Sequence, residues 1–237
     1  MNACLVNIGN TNTEFCSLNL SNRVKVPTSD FKVDAKNFLS SYDTCFAASV
    51  VPELTDALFS LCPHLEIHLL KVDDISSIDF TNIDSSTIGA DRLANLLSAQ
   101  ALFGPNALVL DCGTCVTAEL LLDDCFKGGF IMPGRQLQRR ALASYTGQLP
   151  AVPIDDETIE LGSNTLDSIK VGIDTLSALG VQTWVDEQVL KTPNLKVCFT
   201  GGDRNFYSEK VSFDFSITED LTLRGLRAFA NLFKASK

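Results

Sequence analysis

Two segments, one at the start of the chain and one in its middle, share a plan that constrains the fold more than any other feature. In the first, the apolar run Cys4–Ile8 enters the polar turn Gly9-Asn10-Thr11-Asn12, and a second apolar run follows to Leu18. In the second, Ala107–Leu110 enters Asp111-Cys112-Gly113-Thr114, and an apolar run follows to Leu122. Apolar runs of strand length joined by short turns of Gly, Asn and Thr predict β-hairpins. Two such hairpins predict a duplicated α/β architecture, with ligand-binding loops at a cleft between the halves.

The stretches between them support this plan. Residues 44–52 read as a buried strand ended by Pro52, residues 52–62 as a short helix, and residues 65–72 as another strand. Residues 89–103 predict a helix, because Leu93, Leu96, Leu97 and the alanines follow the helical period. Gly104-Pro105 ends it. Residues 161–180 predict a second helix, starting near Ser163 or Asn164 and stopping at Gly180. Residues 195–203 read as a strand running into a glycine turn, and residues 221–233 as a closing amphipathic helix. The expected domains are 1–105 and 106–237.

Composition narrows the function. The chain has 237 residues, 45% of them hydrophobic, which suffices for a substantial core. Its formal net charge of -10 argues against broad nucleic-acid binding. It leaves phosphate ligands open, since backbone N–H groups and a bound cation can hold them. The start of the chain lacks a basic, apolar leader, and no run reaches the roughly 18 apolar residues of a membrane span. The cytoplasm is therefore the expected location, with neither membrane nor nucleic acid as partner. Most of the eight cysteines, among them Cys4, Cys45, Cys112 and Cys198, lie in apolar runs and read as reduced buried thiols. Cys112 and Cys115 have redox spacing, but no second pair completes a zinc site. Arg139-Arg140 reads as a solvated helix face, and Asp155-Asp156-Glu157 as a solvated loop.

Three turns carry candidate phosphate chemistry. Around Asn7, Gly9 and Asn10 allow positive φ, so that backbone N–H groups and Thr11 can converge on an anion. Asp111, at a strand end before Gly113-Thr114 and Thr117, suits a cation beside phosphate oxygens. Gly201-Gly202, after an apolar strand, permits close approach of a ligand to the backbone.

This order of turns resembles the actin/sugar-kinase/Hsp70 superfamily, whose duplicated ribonuclease H-like domains hold a nucleotide between them. A fourth motif, Gly89-Ala90-Asp91-Arg92, lies just before the predicted helix. Together with Ser49-Val50-Val51-Pro52, Gly128 to Gly134, Gly162 to Thr165 and Leu221 to Leu226, it resembles the type III pantothenate kinases over nearly the whole chain. The resemblance implies a transferase that phosphorylates pantothenate with ATP in the first step of coenzyme A biosynthesis. It implies Asp91 as catalytic base and Arg92 and Thr165 as pantothenate contacts, with Asn82, Gly89 and Ala90 lining that site. It implies Asn7, Gly9, Asn10, Thr11, Asn12, Gly113, Thr114, Thr117, Gly201 and Gly202 for ATP. Asp111 would hold a monovalent cation, K+ or NH4+, with Mg2+ accompanying ATP, and a homodimer would complete the pantothenate pocket. From the residues alone, Asp91 and Thr165 also read as helix caps.

Three positions depart from the family pattern. Asn7 stands where the family has Asp, Glu14 where it has a basic residue, and Asn82 where it has Tyr. A carboxylate near ATP phosphates is repulsive unless it is turned away or bridged by metal. Besides an active pantothenate kinase, these departures allow an inactive relative with a binding or regulatory role, or a kinase for another small hydroxy acid.

Overall fold

The computed structural model describes residues 2–155, 157 and 159–235. Asp156, in the middle of the acidic run, lies outside the described residues. The chain forms two compact units that interleave along the sequence. The first comprises Met1–Ala107, Glu119–Gly128 and Asp220–Lys237, and the second Leu108–Ala118 and Gly129–Glu219. These differ from the contiguous halves 1–105 and 106–237 that the sequence suggested, because two later segments return to the first core.

The first unit begins with β1 (Ala3–Ile8), β2 (Asn12–Ser17), β3 (Val24–Pro27), α1 (Phe31–Leu39), β4 (Thr44–Ser49), α2 (Pro52–Leu61), β5 (Glu66–Leu69) and α3 (Ala90–Phe103). Its sheet has the order β3-β2-β1-β4-β5. β1 runs antiparallel to β2, with Ile8 opposite Thr13, and parallel to β4, with Cys4 opposite Cys45. β1 and β4 are buried almost throughout, which explains their mostly apolar sequence, interrupted by Asn7 in β1 and bounded by Thr44 and Ser49 in β4, and the buried thiols of Cys4 and Cys45. Pro52 occupies the first turn of α2, where its missing N–H costs nothing. Gly104, at φ 86°, closes α3.

β6 (Ala107–Cys112), β7 (Cys115–Leu122), β8 (Cys125–Gly128), β9 (Ile131–Pro133), α4 (Arg135–Tyr145), α5 (Thr165–Lys170), α6 (Leu176–Lys191), β10 (Lys196–Thr200), α7 (Arg204–Ser208), β11 (Ser216–Ile217) and α8 (Leu221–Ala235) follow. In the second unit the strands run β11-β10-β6-β7, and β9 pairs with β7. The far end of β7 turns through Asp123 and Asp124, both at positive φ, into β8. This hairpin belongs to the first unit, where Leu121 and Phe126 join Leu93, Leu97, Leu223 and Phe229 in one core. α8 packs on α3 so closely that a Cβ on Gly225 would collide with the backbone of Ala94. Beside that contact, buried Thr222 Oγ1 donates to Asn95 Oδ1 at 2.8 Å.

Two expectations are corrected. The helix does not stop at Gly180: α5 continues through a π-helical turn, Val171–Thr175, into α6, which ends at Lys191. A helical Gly costs only about 1 kcal/mol against Ala, and buried Val181 and Val185 hold α6 in place. Arg139 is not on a solvated face: it is buried and ion-paired to Asp174, while Arg140 is exposed.

Candidate active site

In the first unit, α3 starts at Ala90, and the N-cap position is Gly89. Asp91 is therefore inside the first turn, and the reading of it as a cap is excluded. Its Oδ1 accepts from the Arg92 backbone N–H at 2.8 Å. A Cβ on Gly89 would lie 2.6 Å from Asp91 Oδ1 and 3.3 Å from Val50 Cγ1. A side chain at position 89 would therefore displace the Asp91 carboxylate from its place, and Val50 of the Ser49-Val50-Val51-Pro52 stretch packs against the same point. Burial pushes the Asp91 carboxyl above the ordinary aspartate range, offset only in part by the Arg92 N–H and guanidinium.

Arg92 Nε donates to Glu119 Oε1 at 2.7 Å, and its guanidinium lies 5.9 Å from the Phe126 ring centre. Glu119, on β7, is completely buried. Sequence reasoning missed it, although a lone carboxylate between Ala118 and Leu120 in an apolar strand was a usable signal. Asn82 is an exposed turn residue, and no bond joins it to Asp91 or Arg92 among the described residues.

The β1–β2 turn exposes Asn10, Thr11 and Asn12. Gly9 N–H donates to Asn12 O at 3.0 Å. Neither Gly9 nor Asn10 has positive φ, contrary to expectation. Gly9 is needed because a Cβ would come 2.9 Å from Asn12 O. Thr28 braces the turn: its N–H donates to Thr11 O at 2.9 Å and its hydroxyl to Gly9 O at 2.7 Å. Asn7 Oδ1 is buried, with no hydrogen-bond partner among the described residues. Glu14 pairs with Arg23 at 3.0 Å and with Lys25, its cross-strand neighbour, at 3.5 Å. Two cations thus engage the carboxylate that looked repulsive to phosphate.

In the second unit, three glycines pack around the β6–β7 turn. Gly113 N–H donates to Cys115 O at 2.8 Å, and Gly134 N–H to Thr114 O at 2.9 Å. A Cβ on Gly134 would collide with the backbone of Gly113 and Thr114. Gly201, at φ 88°, lies against Cys112 O, and a Cβ there would be 2.6 Å from Asp111 Oδ1. Asp203 N–H closes the contact on Cys112 O at 2.8 Å. Asp111, Gly113, Thr114 and Gly201 therefore come together, with Thr114 exposed and Asp111 half-buried. Thr117 Oγ1 is buried, with no hydrogen-bond partner among the described residues. A Cβ on Gly202 would meet nothing within 4 Å among the described residues. Gly201→Ala is expected to lower Tm by several degrees, since the positive φ alone costs roughly 1–2 kcal/mol. Gly202→Ala should leave Tm unchanged. Equal thermal unfolding of the two variants would refute this distinction.

Thr165 is the first residue of α5; the cap is Asn164, whose side chain accepts from Asp167 N–H at 3.0 Å. Free of capping, Thr165 lines a cavity of about 690 Å³ together with Leu137, Leu142, Leu149, Ile169 and Ile173. No group of three or more His, Cys, Asp or Glu among the described residues forms a metal cluster. No described helix is long and apolar enough to cross a membrane.

The architecture matches solved structures of low sequence identity. A Campylobacter jejuni protein, provisionally described as a Baf family transcriptional activator, aligns with TM-score 0.66 and 20% identity over 98% of each chain. ROK hexokinase from Thermus thermophilus aligns with TM-score 0.52 and 11% identity over 100% of each chain. The fold is the duplicated actin-like α/β fold of sugar kinases. The sequence is similar to the type III pantothenate kinase of Kosmotoga olearia, 31% identical with 95% of this chain and 94% of the relative covered. It is also 28% identical to that of Bacteroides fragilis, with 96% of each chain covered. The profile of the type III pantothenate kinase family matches residues 4–187. The chain belongs to the type III pantothenate kinase family.

Proposed function

We propose that the protein transfers the γ-phosphoryl group of ATP to the primary hydroxyl of pantothenate, forming 4′-phosphopantothenate for coenzyme A synthesis. The observation that carries this reading is the desolvated Asp91 carboxylate one residue from a guanidinium held by a buried carboxylate. Asp91 orients the hydroxyl and takes its proton as the oxygen bonds to the γ-phosphorus and ADP leaves. Arg92 receives the pantothenate carboxylate, and Thr165, which lines the apolar cavity, contacts the same substrate. The Asn7–Asn12 turn and the Gly113, Thr114, Thr117, Gly201 and Gly202 turns serve the ATP phosphates.

The donor atoms fit the implied cations. The buried Asn7 Oδ1 would supply a neutral oxygen toward Mg2+ or its water, and Asp111, beside the Gly201 turn, would supply an anionic oxygen toward K+ or NH4+. These ions would neutralise phosphate charge. A homodimer in the cytoplasm completes the proposal. Exposed Leu166, Leu176 and Leu179 on α5 and α6 support it, and light scattering returning the monomer mass would refute it.

The test is pantothenate-dependent ADP release by purified protein with ATP, Mg2+ and K+. Turnover supports the reading, with Asn7, Glu14 and Asn82 as tolerated changes. Folded protein that releases no ADP with pantothenate overturns it.

A further inference from the structure

We propose that Glu119 is a positioning residue that sets how Arg92 presents itself to the substrate carboxylate. The inference rests on the reading of Arg92 as the carboxylate contact and adds a residue with no role so far. Glu119 sits in the apolar run Val116–Leu122 of β7 and is completely buried. A buried carboxylate carries a desolvation penalty of several kcal/mol, so its position is retained only where a strong partner meets it. That partner includes Arg92, whose Nε donates to Glu119 Oε1 at 2.7 Å.

The geometry of guanidinium makes this bond informative. An arginine offers a planar anion two bidentate edges, one through Nε and one Nη, the other through both Nη atoms. Glu119 engages Nε from within the core. A ligand carboxylate would take the edge formed by both Nη atoms. Helix α3 holds the Arg92 backbone, the Phe126 ring lies 5.9 Å from the guanidinium carbon, and the side chain is only 16% exposed. The side chain is thereby ordered before substrate arrives. Without Glu119, Arg92 would have to lose rotamer freedom on binding.

Glu119 also compensates the charge of Arg92, which opposes long-range attraction of an anionic substrate. The two effects have opposite signs, and this makes the proposal decidable. If positioning dominates, Glu119→Gln weakens recognition of the carboxylate. If Glu119 is only a competing counter-ion, the same change strengthens it.

The experiment compares wild type, Glu119→Gln and Glu119→Asp, each checked for a folded thermal transition, with pantothenate and with panthenol, its neutral analogue bearing CH2OH in place of the carboxylate. Pantothenate affinity is measured by calorimetry as well as by kinetics, so that the result does not depend on turnover. Glu119→Gln is expected to weaken pantothenate binding about tenfold, to leave the KM for ATP within about twofold, and to shrink the preference for pantothenate over panthenol. Glu119→Asp should recover part of that preference. A purely structural role would move both substrates and ATP together. Unchanged or tighter pantothenate binding in Glu119→Gln overturns the inference, as does an equal loss for panthenol. Wild-type protein that neither binds nor turns over pantothenate overturns the functional reading itself, and the inference with it. Wild-type binding with an unaffected Glu119→Gln overturns the inference alone.

Discussion

Asp91→Asn is expected to lower kcat about 10²–10⁴-fold, the usual contribution of a positioned general base, while Tm stays level or rises. The amide keeps the shape of the carboxylate and can still accept the Arg92 N–H, but it cannot take the substrate proton. Its effect on stability follows from the raised pKa. A carboxyl whose pKa is higher in the folded state binds its proton more tightly there than in the unfolded chain. Its stabilising contribution is complete below the unfolded pKa and is lost as pH rises through the folded pKa. At neutral pH the ionised Asp91 therefore reduces stability, and a neutral Asn relieves that. The base works only when ionised, so kcat/KM should fall with acid along a limb above the ordinary aspartate value of about 3.9. A variant within tenfold of wild-type kcat, or an acid limb at or below the ordinary value, would remove Asp91 from the role of base.

The largest stability effect is expected at Asp174, in the π-helical turn between α5 and α6. Arg135 Nε donates to Asp174 Oδ1 at 3.0 Å and its Nη2 to Oδ2 at 3.1 Å, and Arg139 pairs with the same carboxylate. All three side chains are buried. Arg135 also donates to Asp155 O at 2.6 Å and stacks on the Phe206 ring, 3.5 Å from its centre. Removing the one carboxylate shared by two buried guanidinium groups leaves like charges facing each other in a poorly solvated site. Asp174→Ala should cost about 3–5 kcal/mol, a fall in Tm of roughly 6–20 °C for a chain of this size. A fall below about 2 °C would show that water or a rearranged Asp203, whose Oδ1 is 4.0 Å from Arg135, replaces it.

The positions of these two carboxylates separate what was legible in the sequence from what was not. Asp91 was legible, because Gly89-Ala90-Asp91-Arg92 and the start of α3 are written in consecutive residues. The same holds for the two hairpins and α8, since a period of two, a period of 3.6 and a turn residue are all local. Asp174 and Arg139 were not legible: the pair is 35 residues apart, and a basic dipeptide on a helix is solvated more often than buried.

The sequence by itself determined the α/β class, the order of the hairpin, helix and glycine-turn motifs, and the candidate base, because local propensity and spacing suffice for these. Tertiary structure alone decided which charges meet. It paired Glu14 with Arg23 and Lys25, placed Glu119 beneath Arg92, and set Gly201 against Asp111. It also returned residues 119–128 and the helix α8 to the first core, so that the compact units do not follow chain order. The physical reason is common to all of these: the energy of a buried charge or a close backbone contact depends on its neighbours in space, and only packing chooses them.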